Sequence, residues 1–494
     1  MNDERTILER APLTLRSAQS RKLQNFIDGA FVPPASGEYF DDVNPATAET
    51  IAEIPDSDRE DVDRAVRAAK NAFPEWSRTS TEQRSRALLK LADVIEQNFE
   101  ELARCESQDN GKPLSLAKRM DIPRAIANFR FFATAILHHA SEAHVTGTTA
   151  LNYTLRQPVG VAGLISPWNL PLYLLSWKIA PAIASGNTCV AKPSELTPLT
   201  AHRLAELSLE AGIPAGVINI VHGAGPKAGA AICEHPDVPL ISFTGGTLTG
   251  AKVAAAAAPM FKKLSLELGG KNPNVIFADA DLDDAIATSI RSSFWNQGEI
   301  CLCGSRIFVE RAIYDAFVER FVDATKKLRI GDPLDAQTDV GALISEAHLE
   351  KVTRYLALAK DEGGTIVTGG NRVDRAGWFL EPAVITGLGC ECRVLQEEIF
   401  GPVVTITPFD GDDEAVRFAN STRYGLSATV WTRDLGRAHR VAAELHVGTV
   451  WINCWLLRDL RVPFGGMKDS GVGREGGFES LRFFTEAKNV CVKL

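Results

Sequence analysis

The stretch that decides the fold is Val159-Gly160-Val161-Ala162-Gly163-Leu164-Ile165-Ser166-Pro167, a short apolar run that ends at a polar turn. This pattern predicts a buried strand, and the apolar residues from 170 to 184 predict a helix that stops at Gly186-Asn187. Such alternation is typical of a parallel sheet covered on both faces by helices. It continues with predicted strands at 189–191, 217–221 and 240–243 and a predicted helix at 199–211.

A second alternating series runs from Asn274-Val275-Ile276-Phe277 to about residue 450, and Glu267-Leu268-Gly269-Gly270 is the predicted hinge between the two series. Helices are predicted over 58–73 and 82–107, where apolar residues recur every three or four positions. The chain ends in a predicted strand at 489–494, whose free edge needs a partner, such as another subunit. The sequence therefore predicts an α/β protein with two parallel-sheet units.

The composition limits the classes of function. A chain of 494 residues is too long for one hydrophobic core, so two or more domains are expected. The net charge of -9 argues against a nucleic-acid partner, which needs a basic surface. The same charge repels an acidic substrate, so such a substrate needs locally placed arginines.

The sequence carries no clear targeting or metal signal. No apolar run approaches the roughly 18–20 residues of a membrane span, and residues 1–23 are predicted to be a polar leader. Nine cysteines are an odd count, which favours a reducing cytoplasm over a disulfide framework. The pairs Cys301/Cys303 and Cys390/Cys392 have C-x-C spacing, and the nine histidines are scattered. We therefore predict a cytoplasmic protein with no metal and no membrane partner.

The most informative residue is Cys301, which lies in Phe294-Trp295-Asn296-Gln297-Gly298-Glu299-Ile300-Cys301-Leu302-Cys303. Glu267 comes upstream and is followed closely by the turn Gly269-Gly270. A thiol needs activation before it attacks an electrophile, and a carboxylate can act as base for the thiol or for a later water. Cys301 and Glu267 are therefore the candidate nucleophile and base.

Polar residues at predicted strand ends are candidates for binding a dinucleotide. The fingerprint G-x-G-x-x-G is absent, and residues 223–229 have one residue too many, so a turn is the favoured interpretation there. Residues 243–250 follow a strand and open a helix, where backbone N–H groups favour phosphate. Lys192-Pro193-Ser194-Glu195 ends a strand at the edge of the sheet where a ribose is held.

Three further segments have a structural interpretation beside a functional one. Asn169 is either a helix N-cap or the donor of an amide N–H to an oxyanion. Glu397-Glu398-Ile399-Phe400-Gly401-Pro402 is either a simple acidic turn or part of a site. The glycine-rich residues 463–471 are predicted to form a loop close to a ligand.

In this order and spacing, the segments resemble the motifs of the NAD(P)-dependent aldehyde dehydrogenase superfamily over roughly residues 24–494. The resemblance implies an α/β, aldehyde dehydrogenase-like fold with two Rossmann-type parallel-sheet domains and a small β oligomerisation element. The implied assembly is a homodimer or homotetramer. The implied divisions are an NAD-binding domain (24–138 and 158–266), a catalytic domain (267–478) and the oligomerisation element (139–157 and 479–494).

The resemblance also assigns roles to single residues. Cys301 is the expected nucleophile, Glu267 the general base, and Asn169 forms an oxyanion hole with the Cys301 backbone N–H. NAD is the expected cofactor, because the 2'-phosphate of NADP would face the carboxylate of Glu195. Gly246 departs from the family, which usually has serine there, so one hydroxyl bond to the pyrophosphate is lost. The residues expected to bind the cofactor are Ile165, Trp168, Lys192, Glu195, Gly245, Gly246, Glu398 and Phe400.

Longer strings narrow the resemblance to members that oxidise muconate semialdehydes. The expected substrate is 2-aminomuconate 6-semialdehyde, from tryptophan breakdown, with 2-hydroxymuconate semialdehyde as the open alternative. The resemblance points to Arg124 and Arg458 as ligands of the substrate carboxylate, since arginine binds carboxylates through two parallel hydrogen bonds. From the residues alone, structural ion pairs or helix caps are the favoured interpretation of both, and Arg119 and Arg461 are nearby substitutes. The strings that carry this are residues 121–132, 168–180, 291–309 and 453–461.

The expected reaction oxidises an aldehyde to a carboxylate through a thioester on Cys301, with hydride transfer to NAD. Glu267 activates the water that hydrolyses the thioester. Two alternatives come from other classes. A cysteine hydrolase explains Cys301 but not the cofactor motifs, and no histidine neighbours the cysteine in sequence. A recruited structural protein on the same fold conflicts with an intact set of Cys301, Glu267 and Asn169.

Overall fold

The computed structural model describes residues 21–494. The predicted leader, residues 1–23, therefore lies outside the described residues except for its last three. Two of these, Arg21–Lys22, form the first strand, which pairs in parallel with a strand containing Ala52. In residues 21–494, no helix is both long enough and apolar enough to cross a membrane.

The strands of the described residues are numbered in chain order. They are β1 (Arg21–Lys22), β2 (Asn25–Ile27), β3 (Ala30–Val32), β4 (Tyr39–Asn44), β5 (Glu49–Pro55), β6 (Ala143–Thr146), β7 (Ala150–Pro158), β8 (Val161–Ile165), β9 (Thr188–Lys192), β10 (Ile218–Ile220), β11 (Leu240–Thr244), β12 (Lys263–Glu267), β13 (Pro273–Ile276), β14 (Arg306–Glu310), β15 (Thr365–Thr368), β16 (Ala383–Thr386), β17 (Val403–Phe409), β18 (Tyr424–Gly425), β19 (Ser427–Trp431), β20 (Thr449–Ile452), β21 (Met467–Lys468), β22 (Gly471–Val472) and β23 (Thr485–Lys493).

The α-helices are α1 (Arg59–Trp76), α2 (Thr81–Gln97), α3 (Phe99–Asn110), α4 (Leu114–Leu116), α5 (Ile122–Ala135), α6 (Pro171–Ala184), α7 (Leu199–Ala211), α8 (Ala230–Glu234), α9 (Thr247–Ala257), α10 (Leu282–Phe294), α11 (Tyr314–Lys326), α12 (Glu346–Asp361), α13 (Arg393–Gln396), α14 (Gly411–Ala419), α15 (Leu435–Glu444) and α16 (Gly477–Phe483). Two π turns and four 3-10 turns complete the helical segments of the described chain. The π turns are Ala117–Asp121 and Gly225–Gly229, and the 3-10 turns are Ile136–His138, Ala258–Met260, Trp295–Gly298 and Arg311–Ile313.

The first alternating series forms an eight-stranded sheet in the order β22-β12-β11-β8-β9-β10-β2-β3. Its central strands, β12 to β10 in that order, run parallel, and the edge strands are antiparallel. The register pairs Ile165 with Lys192 and Thr244 with Glu267, all at the carboxyl ends of their strands. These four residues therefore lie along one edge of the sheet, where ligands bind in parallel α/β folds.

Both faces of this sheet are covered, as the apolar pattern of β8 predicts. Ala162 and Leu164 pack into a core with α2, α5, α6 and α7. Val161 and Ile165 point to the opposite core, which α1, α8 and α9 close. Successive side chains of a strand alternate between faces, so a strand buried on both faces is continuously apolar. The α/β prediction is confirmed for this half of the chain.

The second alternating series forms a seven-stranded sheet in the order β15-β16-β17-β14-β13-β19-β20. All neighbouring pairs are parallel except β15 with β16. Phe308 lies in a core on one face and Ile307 in a core on the other. The predicted fold class, two parallel-sheet units of α/β type, is therefore present in the described residues.

A third sheet, β23-β7-β6, carries the end of the chain. The predicted terminal strand is confirmed, but it begins earlier, at Thr485, and pairs with β7 of the same chain from Thr485–Pro158 to Lys493–Ala150. One edge of the terminal strand is thus satisfied without another subunit.

One predicted helix is wrong in its extent. Residues 82–107 are two helices, α2 and α3, separated by Asn98. Asn98 has φ -104° and ψ 23°, and its side-chain Nδ2 donates to the Val94 carbonyl at 2.8 Å. Asparagine competes for backbone groups in this way, which ends a helix that the apolar spacing alone extends.

Candidate active site

A cavity of about 680 Å³ opens at the edge of the eight-stranded sheet where the parallel strands have their carboxyl ends. Asn169 and Cys301 line it, together with every residue expected from the family resemblance to bind the cofactor. The chain therefore brings the candidate nucleophile and the cofactor candidates to one cavity. The cofactor candidates in its wall are Ile165, Trp168, Lys192, Glu195, Gly245, Gly246, Glu398 and Phe400.

Cys301 lies in a turn with an unusual backbone. Asn296 and Gln297 have φ angles of 53° and 56°, in the left-handed region that residues other than glycine rarely adopt. Asn272, in the loop after β12, donates from Nδ2 to the carbonyls of Cys301 (2.7 Å) and Cys303 (2.9 Å). One side-chain amide therefore ties the cysteine loop to the loop that follows Glu267.

The surroundings of Cys301 keep its thiol protonated. Burial raises the pKa of the thiol above the ordinary cysteine value, and the carboxyl groups of Glu398 and Glu267 raise it further. The Arg458 guanidinium acts in the opposite direction. Because the thiolate is the nucleophile, attack requires that a base take the thiol proton.

The candidate base, Glu267, ends β12 and is buried. Its Oε1 has no hydrogen-bond partner, and a Cβ at Gly465 would lie 2.8 Å from it. Burial raises the pKa of Glu267, the nearby Glu475 carboxylate raises it further, and Lys178 opposes the shift. A carboxyl with a raised pKa and a free oxygen suits general-base work at ordinary pH.

A buried ion pair beside Glu267 was not found from the sequence. Lys178 Nζ donates to Glu475 Oε1 at 3.0 Å and to Ser242 Oγ at 2.9 Å. Lys178 is the one charged residue in helix α6, which is otherwise mostly apolar and largely buried. That isolation is a signal, since a buried charge requires a partner from elsewhere in the fold.

Asn169 is not the helix N-cap, because the N-cap of α6 is Leu170. The Asn169 side-chain Nδ2 donates to the Glu299 carbonyl at 2.9 Å, two residues before Cys301. An amide nitrogen carries two hydrogens, so the second N–H is free for an oxygen in the cavity. This geometry favours the oxyanion interpretation over the capping one.

The end of the cavity that the family resemblance assigns to the nucleotide is built around Glu195. Lys192 Nζ donates to Glu195 Oε2 at 3.0 Å, and the Gly225 N–H donates to Oε1 at 3.2 Å. Burial favours the protonated acid, but the Lys192 ammonium and these hydrogen bonds lower the pKa of Glu195 overall. Gly225 begins the π turn Gly225–Gly229, so the segment predicted as a turn also forms cavity wall.

Gly245 and Gly246 lie between β11 and α9, as predicted. Gly246 is the N-cap of this 11-residue helix, and no side chain caps its first N–H groups. The N-terminus of a helix with free N–H groups favours an anion such as a phosphate. A Cβ built on Gly246 meets no atom within 4 Å, so the wall has room for a side chain there.

Glu398 and Phe400 form another part of the cavity wall. The Gly270 N–H donates to Glu398 Oε1 at 2.8 Å, and a Cβ at Gly269 would lie 2.2 Å from Oε2. A side chain at position 269 would therefore displace the Glu398 carboxylate from this bond. The Phe400 ring packs edge-on against Trp168, with ring centres 5.3 Å apart.

The two substrate-binding candidates flank Tyr173 on α6. Arg458 donates to the Tyr173 hydroxyl at 3.1 Å, and its guanidinium lies 3.8 Å from the centre of the Phe464 ring. The Arg124 guanidinium lies 5.5 Å from the centre of the Tyr173 ring. Both arginines are half-buried, and neither forms an ion pair with a carboxylate of residues 21–494. The structural ion pairs considered for them are therefore absent from the described part of the chain.

The substitute arginines are less suited to a ligand. Arg461 is 80% exposed and forms a 2.6 Å ion pair with Asp459. Arg119 is exposed, with its guanidinium 5.3 Å from the centre of the Trp295 ring. Across residues 21–494, no group of three or more histidine, cysteine or acidic side chains has the arrangement of a metal site.

Comparison with known proteins agrees with this geometry. The sequence matches the aldehyde dehydrogenase family over residues 31–490. The 2-aminomuconic semialdehyde dehydrogenase of Danio rerio is 56% identical over 95% of this chain and 98% of its own. The 2-hydroxymuconic semialdehyde dehydrogenase of Pseudomonas sp. (strain CF600) is 50% identical over 96% of this chain and 100% of its own.

A solved structure agrees as well. An aldehyde dehydrogenase from Bacillus cereus, determined as a complex with NAD+, superposes with a TM-score of 0.95 at 42% identity, covering 96% of this chain and 97% of that one. The family match excludes the cysteine hydrolase alternative, and relatives named as dehydrogenases argue for an enzyme over a structural protein. The chain belongs to the aldehyde dehydrogenase family.

Proposed function

We propose that this enzyme oxidises the aldehyde of a semialdehyde whose other end is a carboxylate, with NAD as the cofactor. The proposed substrate is 2-aminomuconate 6-semialdehyde, which becomes 2-aminomuconate. The 2-hydroxymuconate compound is the second candidate. The names of the relatives support both, and the higher identity favours the amino compound.

The observation that carries the proposal is the pair of half-buried arginines beside Tyr173. A buried or half-buried cation without a carboxylate partner is costly unless a ligand supplies the anion. Arg458 is close enough to lower the pKa of both Cys301 and Glu267, so it belongs to the same site as the nucleophile. A substrate that reaches from Cys301 to Arg458 therefore carries its anion at the end remote from the aldehyde.

The surroundings of Arg458 suit a flat conjugated chain. Its guanidinium stacks on Phe464 at 3.8 Å and lies 5.6 Å from the Trp177 ring centre. Guanidinium groups held against aromatic rings are desolvated, which strengthens their bonds to a carboxylate. A muconate semialdehyde is planar and unsaturated, so aromatic walls favour it over a flexible aliphatic aldehyde.

The cavity fits NAD. Glu195, fixed by Lys192 and Gly225, offers a carboxylate to ribose hydroxyls and repels an adenosine 2'-phosphate. The uncapped N-terminus of α9 at Gly246 suits a pyrophosphate. Glu398, held by the Gly270 N–H, supplies a second carboxylate for a ribose. When bound, NAD supplies the acceptor for the hydride that leaves the substrate carbon.

The protein residues then carry the remaining chemistry. Glu267, the candidate base, takes the Cys301 proton and passes it to solvent, and the sulfur bonds to the aldehyde carbon while the free N–H of Asn169 stabilises the oxygen that becomes negative. After oxidation, the acyl group is held as a thioester on Cys301. Glu267, whose Oε1 has no other partner, takes a proton from the water that attacks this thioester. The carboxylate product leaves and Cys301 is regenerated.

The assembly and the compartment are proposed on the same basis. A homodimer or homotetramer, built through the third sheet β23-β7-β6, would cover exposed side chains such as Val145 and Val492. The division into an NAD-binding domain, a catalytic domain and an oligomerisation element is proposed from the two large sheets and this small one, with β22 as an exception because it lies within 267–478 but pairs with β12 of the first sheet. A cytoplasmic location is proposed from the unpaired cysteines of the described residues.

The test of the proposed function is a steady-state comparison of three aldehydes: 2-aminomuconate 6-semialdehyde, 2-hydroxymuconate semialdehyde and hexanal. The expected result is that kcat/KM is highest for the amino compound with NAD and lower with NADP. Equal kcat/KM for hexanal and for both carboxylated compounds would remove the muconate assignment, while the aldehyde dehydrogenase assignment stands. A preference for the hydroxy compound would select the second candidate.

A further inference from the structure

A fully buried charge cluster lies behind Asn169, outside the cavity. Lys112 follows Gly111, whose φ of 85° ends helix α3. Its Nζ donates to Asp121 Oδ1 at 2.8 Å and lies 4.0 Å from Glu106 Oε1, and all three side chains have no exposed surface. Burying one ammonium and two carboxyl groups costs desolvation free energy, so such a cluster is weak evidence for added stability and suggests a role in the site.

Lys112 is bonded directly to the backbone of the oxyanion residue. Its Nζ donates to the Asn169 carbonyl at 3.0 Å. This carbonyl precedes helix α6 and cannot be satisfied within it, so the partner must come from another segment. Asn296 Nδ2 is the second donor to the same carbonyl, also at 3.0 Å.

The neighbouring residues are held from the same side. Asn110 Nδ2 donates to the Trp168 carbonyl at 2.9 Å, and the Glu106 carboxyl accepts from the Leu172 N–H at 3.3 Å. The end of α3 thus holds the backbone on both sides of Asn169. The side-chain N–H of Asn169 that the proposed mechanism uses is therefore aimed by residues that never touch the substrate.

The other arm of Lys112 reaches the helix that carries Arg124. Asp121 ends the π turn Ala117–Asp121, in which the Ile122 N–H bonds to the Ala117 carbonyl five residues earlier. Such turns insert an extra residue into a helix and are frequent at functional sites. Asp121 lies three residues before Arg124, a spacing that sets side chains on one side of a helix.

The protonation states of the cluster favour one strong ion pair, between Lys112 and Asp121. Burial raises the pKa of Glu106 to about 8, so this carboxyl is largely protonated at neutral pH. Burial also raises the pKa of Asp121, but the Lys112 ammonium opposes that shift. The cluster then holds one cation against one anion, with Asp121 as the partner at hydrogen-bond distance.

We propose that Lys112 is a positioning residue that sets the oxyanion donor Asn169 and the substrate-binding Arg124 at a fixed separation. The inference rests on the proposed function, since it assumes the roles of Asn169 and Arg124. One ammonium, bonded at once to the Asn169 carbonyl and to Asp121, couples the two ends of the substrate site. A small displacement of a catalytic group costs up to about 10²-fold in rate, which is the effect this bond prevents.

The first experiment is a double-mutant cycle with Lys112→Met and Asn169→Ala, measured with hexanal and NAD. The readout is the rate of the first NADH turnover, which reports the steps that form the oxyanion. Lys112→Met should slow it by about 10- to 100-fold in the wild-type background. In the Asn169→Ala background the same change should have an effect of less than about 3-fold, because the group it aims is gone.

Controls separate positioning from loss of structure. Lys262→Met removes another buried lysine, whose Nζ donates to the His235 carbonyl at 2.7 Å, and it should leave the first-turnover rate unchanged. Affinity for NAD should be unchanged in Lys112→Met. Helix α5 should stay docked in that variant, because Phe129 and Phe132 are buried in the core and Asn128 Nδ2 donates to the Tyr173 carbonyl at 3.1 Å.

The second experiment tests the Arg124 arm and does not depend on Lys112→Met folding. Asp121→Asn keeps an oxygen for the Lys112 ammonium but removes the charge. It should lower kcat/KM for 2-aminomuconate 6-semialdehyde several-fold more than for hexanal, and this difference should vanish in an Arg124→Ala background.

Equal effects of Lys112→Met with and without Asn169, together with equal effects of Asp121→Asn on both aldehydes, would overturn the inference and leave the cluster purely structural. A failure of the proposed function looks different. In that case Asn169→Ala and Arg124→Ala would themselves leave the rates unchanged.

Discussion

The cofactor end and the substrate end of the site differ in how their charges are satisfied. At the cofactor end, Glu195 is held by Lys192 and Gly225, and its pKa is lowered. At the substrate end, Arg458 has no carboxylate partner, and the pKa of Glu267 is raised. The Glu195 carboxylate is thus already paired within the protein, whereas the Arg458 guanidinium lacks an anion.

This difference indicates which substitutions matter most. Side chains that are already hydrogen-bonded within the protein are preorganised, so removing one contact with the ligand changes the binding free energy only modestly. Groups held in unfavourable protonation states or without partners act only when the substrate arrives, so their loss falls on catalysis and specificity. We therefore expect large effects at the substrate end and small ones at the cofactor end.

The largest effect is expected from Cys301→Ala. Turnover should fall by roughly 10⁴-fold or more, because the sulfur forms the covalent bond to the substrate. NAD affinity should stay within about 2-fold, since the sulfur belongs to the substrate end. Aldehyde oxidation at the wild-type rate, in a preparation free of other dehydrogenases, would contradict the assignment.

Glu267→Gln is expected to have the next largest effect. Loss of a general base costs about 10²–10⁴-fold, and the loss should fall on thioester hydrolysis. A rapid burst of about one NADH per active site, followed by slow turnover, is the expected trace in stopped flow. Unchanged steady-state turnover would move the base to another residue.

The rate of thioester hydrolysis should also rise with pH in the wild type. The base acts in its deprotonated form, and the pKa of Glu267 is raised by burial and by Glu475. At a given pH a raised pKa means a smaller active fraction, so the rate falls as the pH drops through that value. Single-turnover rates that stay flat from mildly acidic to alkaline pH would exclude Glu267 as the titrating base.

Arg124→Ala and Arg458→Ala are expected to have intermediate and selective effects. A charge-assisted hydrogen bond contributes roughly 1.5–3 kcal/mol, so kcat/KM for a carboxylated semialdehyde should fall by about 10- to 150-fold. Hexanal has no carboxylate to lose, so its kcat/KM should fall much less, with only the small change in Arg458→Ala that follows from losing the guanidinium near Cys301 and Glu267. Arg461→Ala is the matched control, because this exposed arginine already pairs with Asp459. Equal losses for both aldehydes would mean that the two arginines are structural.

The smallest effect belongs to the cofactor end. Gly246→Ser adds the hydroxyl that the family usually carries, into space where a Cβ meets no atom within 4 Å. One additional hydrogen bond should lower the Kd for NAD by about 2- to 10-fold. Gly246→Ala, with the Cβ but no hydroxyl, is the control and should leave the Kd unchanged. A Kd for NAD that is unchanged in Gly246→Ser would contradict the expected hydroxyl bond to the pyrophosphate.

The same comparison separates what the sequence predicts from what it does not. Strand ends such as Ile165 and Lys192 were predictable, because apolar runs that stop at polar turns mark the carboxyl edge of a parallel sheet. The cofactor candidates lie on these edges and on glycine turns, so local pattern and family resemblance both reach them. The residues of the cofactor end can therefore largely be predicted from short segments of the sequence.

The partners of the substrate end come from distant parts of the chain. Lys178 pairs with Glu475, 297 positions away, and the sequence around either residue does not predict which residue it pairs with. The absence of an ion partner for Arg458 is likewise a property of the whole fold. The break at Asn98 was missed for another reason, since one side-chain bond to Val94 overrides a continuous apolar pattern.

The central claim is that the substrate end lacks an anion which the substrate supplies. The most direct test compares 2-aminomuconate 6-semialdehyde with the analogue in which an uncharged amide replaces the terminal carboxylate. Both compounds are measured with the wild type and with Arg458→Ala. We predict that the amide loses at least about 10- to 150-fold in kcat/KM in the wild type and that this difference becomes clearly smaller in Arg458→Ala, where only Arg124 is left to bind the carboxylate. A wild-type enzyme that oxidises the acid and the amide equally well would contradict the claim.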